Sequence, residues 1–356
     1  MTAGYAEMRN TDGGRITGKL RDGIGHYTQL VWRDTRRVGC SLGQKRHVIN
    51  GAEKRGITLP QLQKLMRFMT SHADGEGSLQ GWWDRRSEEG LHRDRINLYA
   101  VTDWIIMPFT AKAACSFVEL IVDEGTAEQL PQWFISHWWG EPVADFIACL
   151  EQHSKDHNPE NKRKNVFGIK PDDHAPYWVC AYANNQWDLA AAVTADPAET
   201  SFFKAMRLSR GTVSVVDAHG LCYTRVWCQY ECFITLVNAK ADYKYDVYTA
   251  HAHTLEIPGI DEAEERGAVG ITDGTAEADF KEGEGAASAY KTIREKHFPL
   301  ALARKGLAVR VEDAQASQPA DRRHILNAIA GRPADELDLE PHASPPRYTE
   351  LDQTLR

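Results

Sequence analysis

TVSVV (Thr212 to Val216), a short break at Asp217 to Gly220, and then TRVWCQYECFITL (Thr224 to Leu236) form the most informative segment of the chain. A run of threonine and valine broken only by Ser214 reads as a buried strand, and the longer apolar run after the break reads as a helix. Glu231 then stands about two turns into that helix, close to the carboxyl edge of a parallel sheet. Open α/β sheets bind ligands along that edge. Two readings of the helix compete. In one, Glu231 and Trp227, one turn before it, share a face and contact a sugar or a nucleotide. In the other, Trp227, Tyr230, Phe233 and Val237 are the packing face and Glu231 is a solvated neighbour.

The same alternation of strand and helix extends outward from this stretch. The sequence predicts strands at Trp133 to Ser136, Tyr177 to Tyr182, Tyr245 to Thr249 and Leu307 to Val311. Helices are predicted from Val143, around Ser201 to Leu208, near Tyr290 to Leu302, and from Asp321 to Ile329 with Gly331 closing it. Parallel neighbours need helix-sized crossovers, so the class is α/β, a doubly wound five-stranded parallel sheet over residues 132–330. Three loops gather at its carboxyl edge: His137 to Glu141, Asn184 to Asp188, and Asp217 to Arg225. They bring together Ser136, His137, Trp138, Trp139, Asn184, Asn185, Trp187, Asp217 and Arg225, beside Trp227 and Glu231. Aromatic rings, amides, an arginine and carboxylates suit a nucleotide with a sugar and phosphates. Neither GxGxxG nor GxxxxGK[ST] occurs, so the dinucleotide fingerprint and the P-loop are both missing.

Residues 55–130 read as an extension that packs on the sheet domain. Within it TLPQLQKLMRFM places Leu62, Leu65, Met66 and Met69 on one helical face, with Thr58 as N-cap and Pro60 in the first turn. Ile96 to Thr110 is apolar and β-favouring, and Pro108 argues against a long helix there. Residues 255–289 read as a long acidic loop, and the tail Arg332 to Arg356, with four prolines, as disordered.

The formal net charge of −8 argues against a general nucleic-acid binder. Seven cysteines make an odd count, and most lie in apolar segments, which favours free thiols in a reducing compartment. The first residues have no apolar signal core and no run is long enough to span a membrane, so the expected location is cytoplasmic.

Two resemblances follow from motifs. FISHWWGE (Phe134 to Glu141) resembles the first box of Toll/interleukin receptor (TIR) domains. AMRLSRGTVSVVD (Ala205 to Asp217) is similar to their run into the third strand, and WCQYE (Trp227 to Glu231) to the W-C-x-x-E of plant-type members. The resemblance implies a flavodoxin-like fold and Glu231 as the catalytic glutamate. It also implies NAD as a substrate rather than a cofactor, cleaved at the nicotinamide–ribose bond, and self-association through the loops. In that scheme Trp139 or Trp187 stacks on a ring, Ser136 and Asn184 bond the ribose, and Arg225 meets phosphate. Two loops depart from the family pattern: Trp138-Trp139 replaces a single arginine, and ANNQWDL (Ala183 to Leu189) lacks the usual Arg-Gly. The competing class is a non-enzymatic TIR-like adaptor that associates through the same loops. Separately, GHYTQLVWRDTRRVGC (Gly25 to Cys40) closely resembles the signature of the cysteine-rich secretory and pathogenesis-related (CAP) family. In that family the motif's histidine, here His26, helps line a metal-binding cleft. Residues 1–50 are too short to supply the rest of that cleft, so they read as a detached fragment, no metal is expected, and a secreted CAP-like protein is the remote alternative.

Overall fold

A mostly parallel sheet of five strands organises the chain. The computed structural model describes residues 47–123, 126–158, 175–189, 194, 196–237, 241–255, 263–280, 284–343 and 345–354. The CAP-like motif with His26 and Cys40 lies outside the described residues.

A small antiparallel pair, β1 (Ser78–Trp83) and β2 (Gly90–His92), precedes the main sheet, which is built from β3 (Trp133–His137), β4 (Tyr177–Trp178), β5 (Gly211–Val215), β6 (Lys244–Leu255) and β7 (Ala263–Ile271). The spatial order is β4-β3-β5-β6-β7, with the first four strands parallel. Counted within the sheet this is 2-1-3-4-5, the flavodoxin-like order.

The fifth strand differs from expectation in place and direction. It is β7, inside the stretch expected to be an acidic loop, and it runs antiparallel to β6. Leu307 to Val311 is not a strand. Leu307 ends a helix, Leu300–Leu307, and Val311 starts a 3-10 turn. The period of a short apolar run does not separate strand from helix, whereas a direct β6–β7 return needs no crossover. Likewise, the strand expected over Tyr177 to Tyr182 ends at Trp178, and Cys180–Ala183 is one helical turn.

Helices cover both faces. On one lies α5 (Val143–His157), counting after α1 (Leu59–Ser71), α2 (Leu98–Val101), α3 (Met107–Thr110) and α4 (Phe117–Ile121). Trp133 and Ile135 of β3 and Val213 and Val215 of β5 point to this face and share one core with Phe146, Leu150 and residues of α1 to α4. The extension is therefore continuous with the sheet's core. It also covers the open edge of β4, where Ile57 and Tyr177 exchange backbone hydrogen bonds. The capping box at Thr58 and Gln61 forms as the sequence predicts.

Ile96 to Thr110 turned out helical. Between α2 and α3 the chain keeps helical dihedrals through a π-helical stretch, Thr102–Ile106, so Pro108 lies inside one continuous helical run, directly after its widened turn. Trp82 is buried and stacks on Trp104 at 5.6 Å, and both rings belong to the core shared with the sheet.

Helices α6 (Cys180–Ala183), α7 (Ser201–Leu208) and α8 (Val226–Leu236) lead to α9 (Glu284–Glu295), α10 (Leu300–Leu307), α11 (Pro319–Ala330) and α12 (Pro346–Thr354). The second core joins Phe134 and Trp178 of the sheet to Val226, Tyr230 and Phe233 of α8, Ile325 and Ile329 of α11, and Tyr348 and Leu351 of α12. The tail is thus not disordered over its described part: α12 buries two apolar side chains, and the Tyr348 hydroxyl donates to the Leu326 carbonyl. Two well-placed apolar residues suffice to dock a polar helix onto an existing core.

Candidate functional site

The strand order reverses between β3 and β5, and the crevice outside their carboxyl ends is where such sheets take ligands. Alternation along each strand decides what faces α8. Ser136 of β3 and Thr212 and Ser214 of β5 point toward it, while their apolar neighbours point to α5. On α8, Cys228, Glu231, Cys232 and Thr235 fall at i, i+3, i+4 and i+7 and form the sheet-facing stripe. The result is a buried polar seam. Thr212 meets Thr235 at 2.8 Å, Ser214 donates to Tyr245 at 3.1 Å, and Cys232 lies 3.5 Å from the same phenol.

Glu231 stands at the crevice end of this seam. The residue is 5% exposed, and the Ser136 hydroxyl donates to its Oε2 at 2.5 Å. Burial raises its pKa from 4.5 to about 8, and the Ser136 bond pulls slightly the other way. At neutral pH the closed site therefore holds a protonated glutamic acid. Cys228 donates weakly to the His137 carbonyl at 3.7 Å, and burial pushes the nearby Cys180 thiol up to about 12, with Glu231 adding to it.

Glu141 is a second buried carboxyl at the same edge, and the sequence reading passed over it. It is 3% exposed, its Oε2 has no hydrogen-bond partner, and burial, with Asp217 and Asp145 adding to it, lifts its pKa well above the ordinary value. A glutamate that directly follows a Gly at a strand's carboxyl end was the available signal. His137 is buried beside Phe146 and kept neutral, its pKa pushed down to about 4.

The other expected site residues divide between the crevice and structural duties. Asp217 spends both carboxylate oxygens on the backbone N–H groups of His219 and Cys222, holding its own loop. Asn184 is buried and accepts from Ser201, and Asn185 donates to the Ala114 carbonyl. Trp139 donates to Cys180 and packs on Tyr99, and Trp187 donates to Thr110. The Trp138 ring lies over Gly140, where an added Cβ would come within 2.2 Å of it. Arg225 reaches Ser317 at 3.0 Å, and Trp227 stacks on Phe202 and donates to Asp321. Trp227 therefore shares no site with Glu231, although four residues apart: the helix is buried on several sides and each side chain has its own neighbour.

These contacts show what the extension does to the crevice. Leu98 N–H bonds the Trp139 carbonyl, Val143 N–H bonds the Ile96 carbonyl, and Ala114 and Thr110 hold Asn185 and Trp187. The first and second loops are both clamped from one side. Elsewhere, a cavity of about 250 Å³ opens beside Tyr230 and Phe233, on the stripe of α8 opposite Glu231, between Asp196, Arg332 and Arg347.

Among the described residues Cys149, Cys180, Cys222, Cys228 and Cys232 carry free thiols, and no helix is long and apolar enough to cross a membrane. No family model matches the chain, and neither a curated protein nor a solved structure matches it.

Proposed function

We propose that the chain is a TIR-like protein that cleaves the nicotinamide–ribose bond of NAD, with Glu231 as the catalytic carboxyl and Ser136 as its positioning residue. The observation that carries this reading is the buried Ser136–Glu231 pair at the point where the strand order reverses. Titratable groups with displaced pKa values in such a crevice are what catalysis requires.

In the reaction the bond between the ribose C1′ and the pyridinium nitrogen breaks, and its electron pair leaves with nicotinamide, which needs no proton. Positive charge passes to the ribose, water adds at C1′, and that water loses a proton. A carboxyl beside the ribose stabilises the oxocarbenium-like state when ionised. A cationic nicotinamide riboside next to Glu231 favours the ionised form, so substrate arrival itself lowers the raised pKa. The remaining crevice groups would then fix the ribose and phosphates, once the clamped loops separate from the extension.

A second reading, a non-enzymatic interaction module, is favoured by one specific observation: Glu231 and Glu141 are both closed off and the loop side chains are engaged within the chain. Nicotinamide release from NAD by the purified full chain, tested concentrated and clustered, separates the two. We expect release that Glu231→Gln slows by roughly a hundredfold or more. No release from the clustered protein, or equal release by the variant, overturns the enzymatic reading and leaves the interaction module.

A further inference from the structure

Helix α5 carries His153 and His157 four residues apart, so both rings leave the same face and reach the sheet at Trp133, the first residue of β3. Asp246 of β6 meets them there. One ligand atom from each of the three lies within 4.8 Å of the others. His157 Nε2 is 2.7 Å from Asp246 Oδ2, and His153 Nε2 is 3.4 Å from the same oxygen.

The second distance is the informative one. His153 and Asp246 are both fully buried, yet His153 Nε2 has no hydrogen-bond partner. An orphaned buried nitrogen is costly. A separation near 3.4 Å is long for a hydrogen bond but close to the roughly 3.3 Å between two ligand atoms of a tetrahedral ion with bonds of about 2.0–2.1 Å. Seating such an ion asks His157 to withdraw by roughly half an ångström.

The remaining groups are arranged as outer partners. His153 Nδ1 meets the Tyr177 hydroxyl at 3.1 Å, and His157 Nδ1 bonds the Glu277 carboxylate, so each ring is turned with Nε2 toward Asp246. Asp246 Oδ1 accepts from the Asp273 N–H at 2.9 Å, which leaves Oδ2 for the shared centre. The carboxylates of Asp246 and Glu277 together match a dication. Arg210 and Lys244 reach Glu277 at its exposed rim.

We propose that His153, His157 and Asp246 form a binding site for a divalent transition metal of the zinc class. Two imidazoles and one carboxylate suit zinc or cobalt rather than magnesium or calcium, whose sites are built from oxygen ligands. The site ties α5 to β6 at the end of the sheet away from Glu231, so its role is to hold the fold, and a water completes the tetrahedron.

The test uses the purified full chain, stripped with a chelator and titrated with Co²⁺ and then Zn²⁺. We expect one equivalent of Co²⁺ with the visible bands of a tetrahedral nitrogen and oxygen environment, displaced by Zn²⁺. A rise in the thermal midpoint should grow with metal concentration. His153→Gln, checked for folding by circular dichroism, should lose both. If that variant does not fold, the spectrum of the unaltered chain still decides, because a thiolate charge-transfer band would put the metal on cysteines and overturn the assignment. Absence of stoichiometric binding overturns it too, leaving His157 hydrogen-bonded between the Asp246 and Glu277 carboxylates. So does binding that survives in folded His153→Gln.

Discussion

Replacing Glu231 by glutamine separates what the buried carboxyl costs the fold from what it does. The isostere keeps an acceptor for Ser136 and carries no charge at any pH. Burial raises the Glu231 pKa from 4.5 to about 8, and each pH unit of that displacement is worth about 1.4 kcal/mol. Between those two values the unfolded chain has released a proton that the native chain still holds, so the native state loses stability as pH rises. The group's full contribution is present below pH 4.5 and is lost as pH climbs through about 8. Relative to wild type, Glu231→Gln should therefore be nearly neutral at acid pH. It should be more stable by roughly 3 kcal/mol at pH 7 and by about 4–5 kcal/mol above pH 8. Urea denaturation of both chains across this range, with metal held constant, measures the difference at each pH, and all other titrating groups cancel. Equal stabilities at pH 8 would refute the buried, neutral carboxyl. A stabilised variant that has also lost nicotinamide release would mark a residue retained at the expense of stability.

Two further substitutions test the fold that holds the site. Leu351→Ala in the described tail should cost about 2–4 kcal/mol by urea denaturation, because the side chain is fully buried against α11 and α8; a change below about 0.5 kcal/mol would return the tail to a detached segment. Gly270 pairs with Tyr248 across β6 and β7, and an added Cβ would lie 2.4 Å from the Tyr248 ring. Gly270→Ala should therefore lower stability by about 1–3 kcal/mol and expose amides of β7 to hydrogen exchange. An unchanged variant would argue against the antiparallel return strand.

Much of this protein is legible in its motifs. The short, nearly continuous apolar runs at Trp133 and Thr212 marked central strands, because a strand covered on both faces must be almost wholly apolar or β-branched. The i, i+3, i+4 spacing after Thr58 and Val143 marked docking helices; Thr58 caps the first with a capping box, whereas the second starts after Pro142 with no side-chain cap. Glu231 could be singled out from its place after a buried strand. Its environment was not legible from the sequence: whether a carboxylate two turns into a helix faces solvent or a serine depends on the rotation of α8 against β3, which is set by packing on α11 and α12. The fates of Trp139, Asn185 and Trp187 were hidden for the same reason, since their partners lie some forty to eighty residues away in the chain. The antiparallel β7 and the meeting of His153 and His157 with Asp246 arise from contacts between distant segments, which local periodicity does not record. Residue pattern alone specifies the class of fold, the chain order of its central strands and helices, and the chemical types available at each edge. Which of those groups are buried together is set by long-range packing, because burial and pairing are properties of packed faces and not of residues in a row.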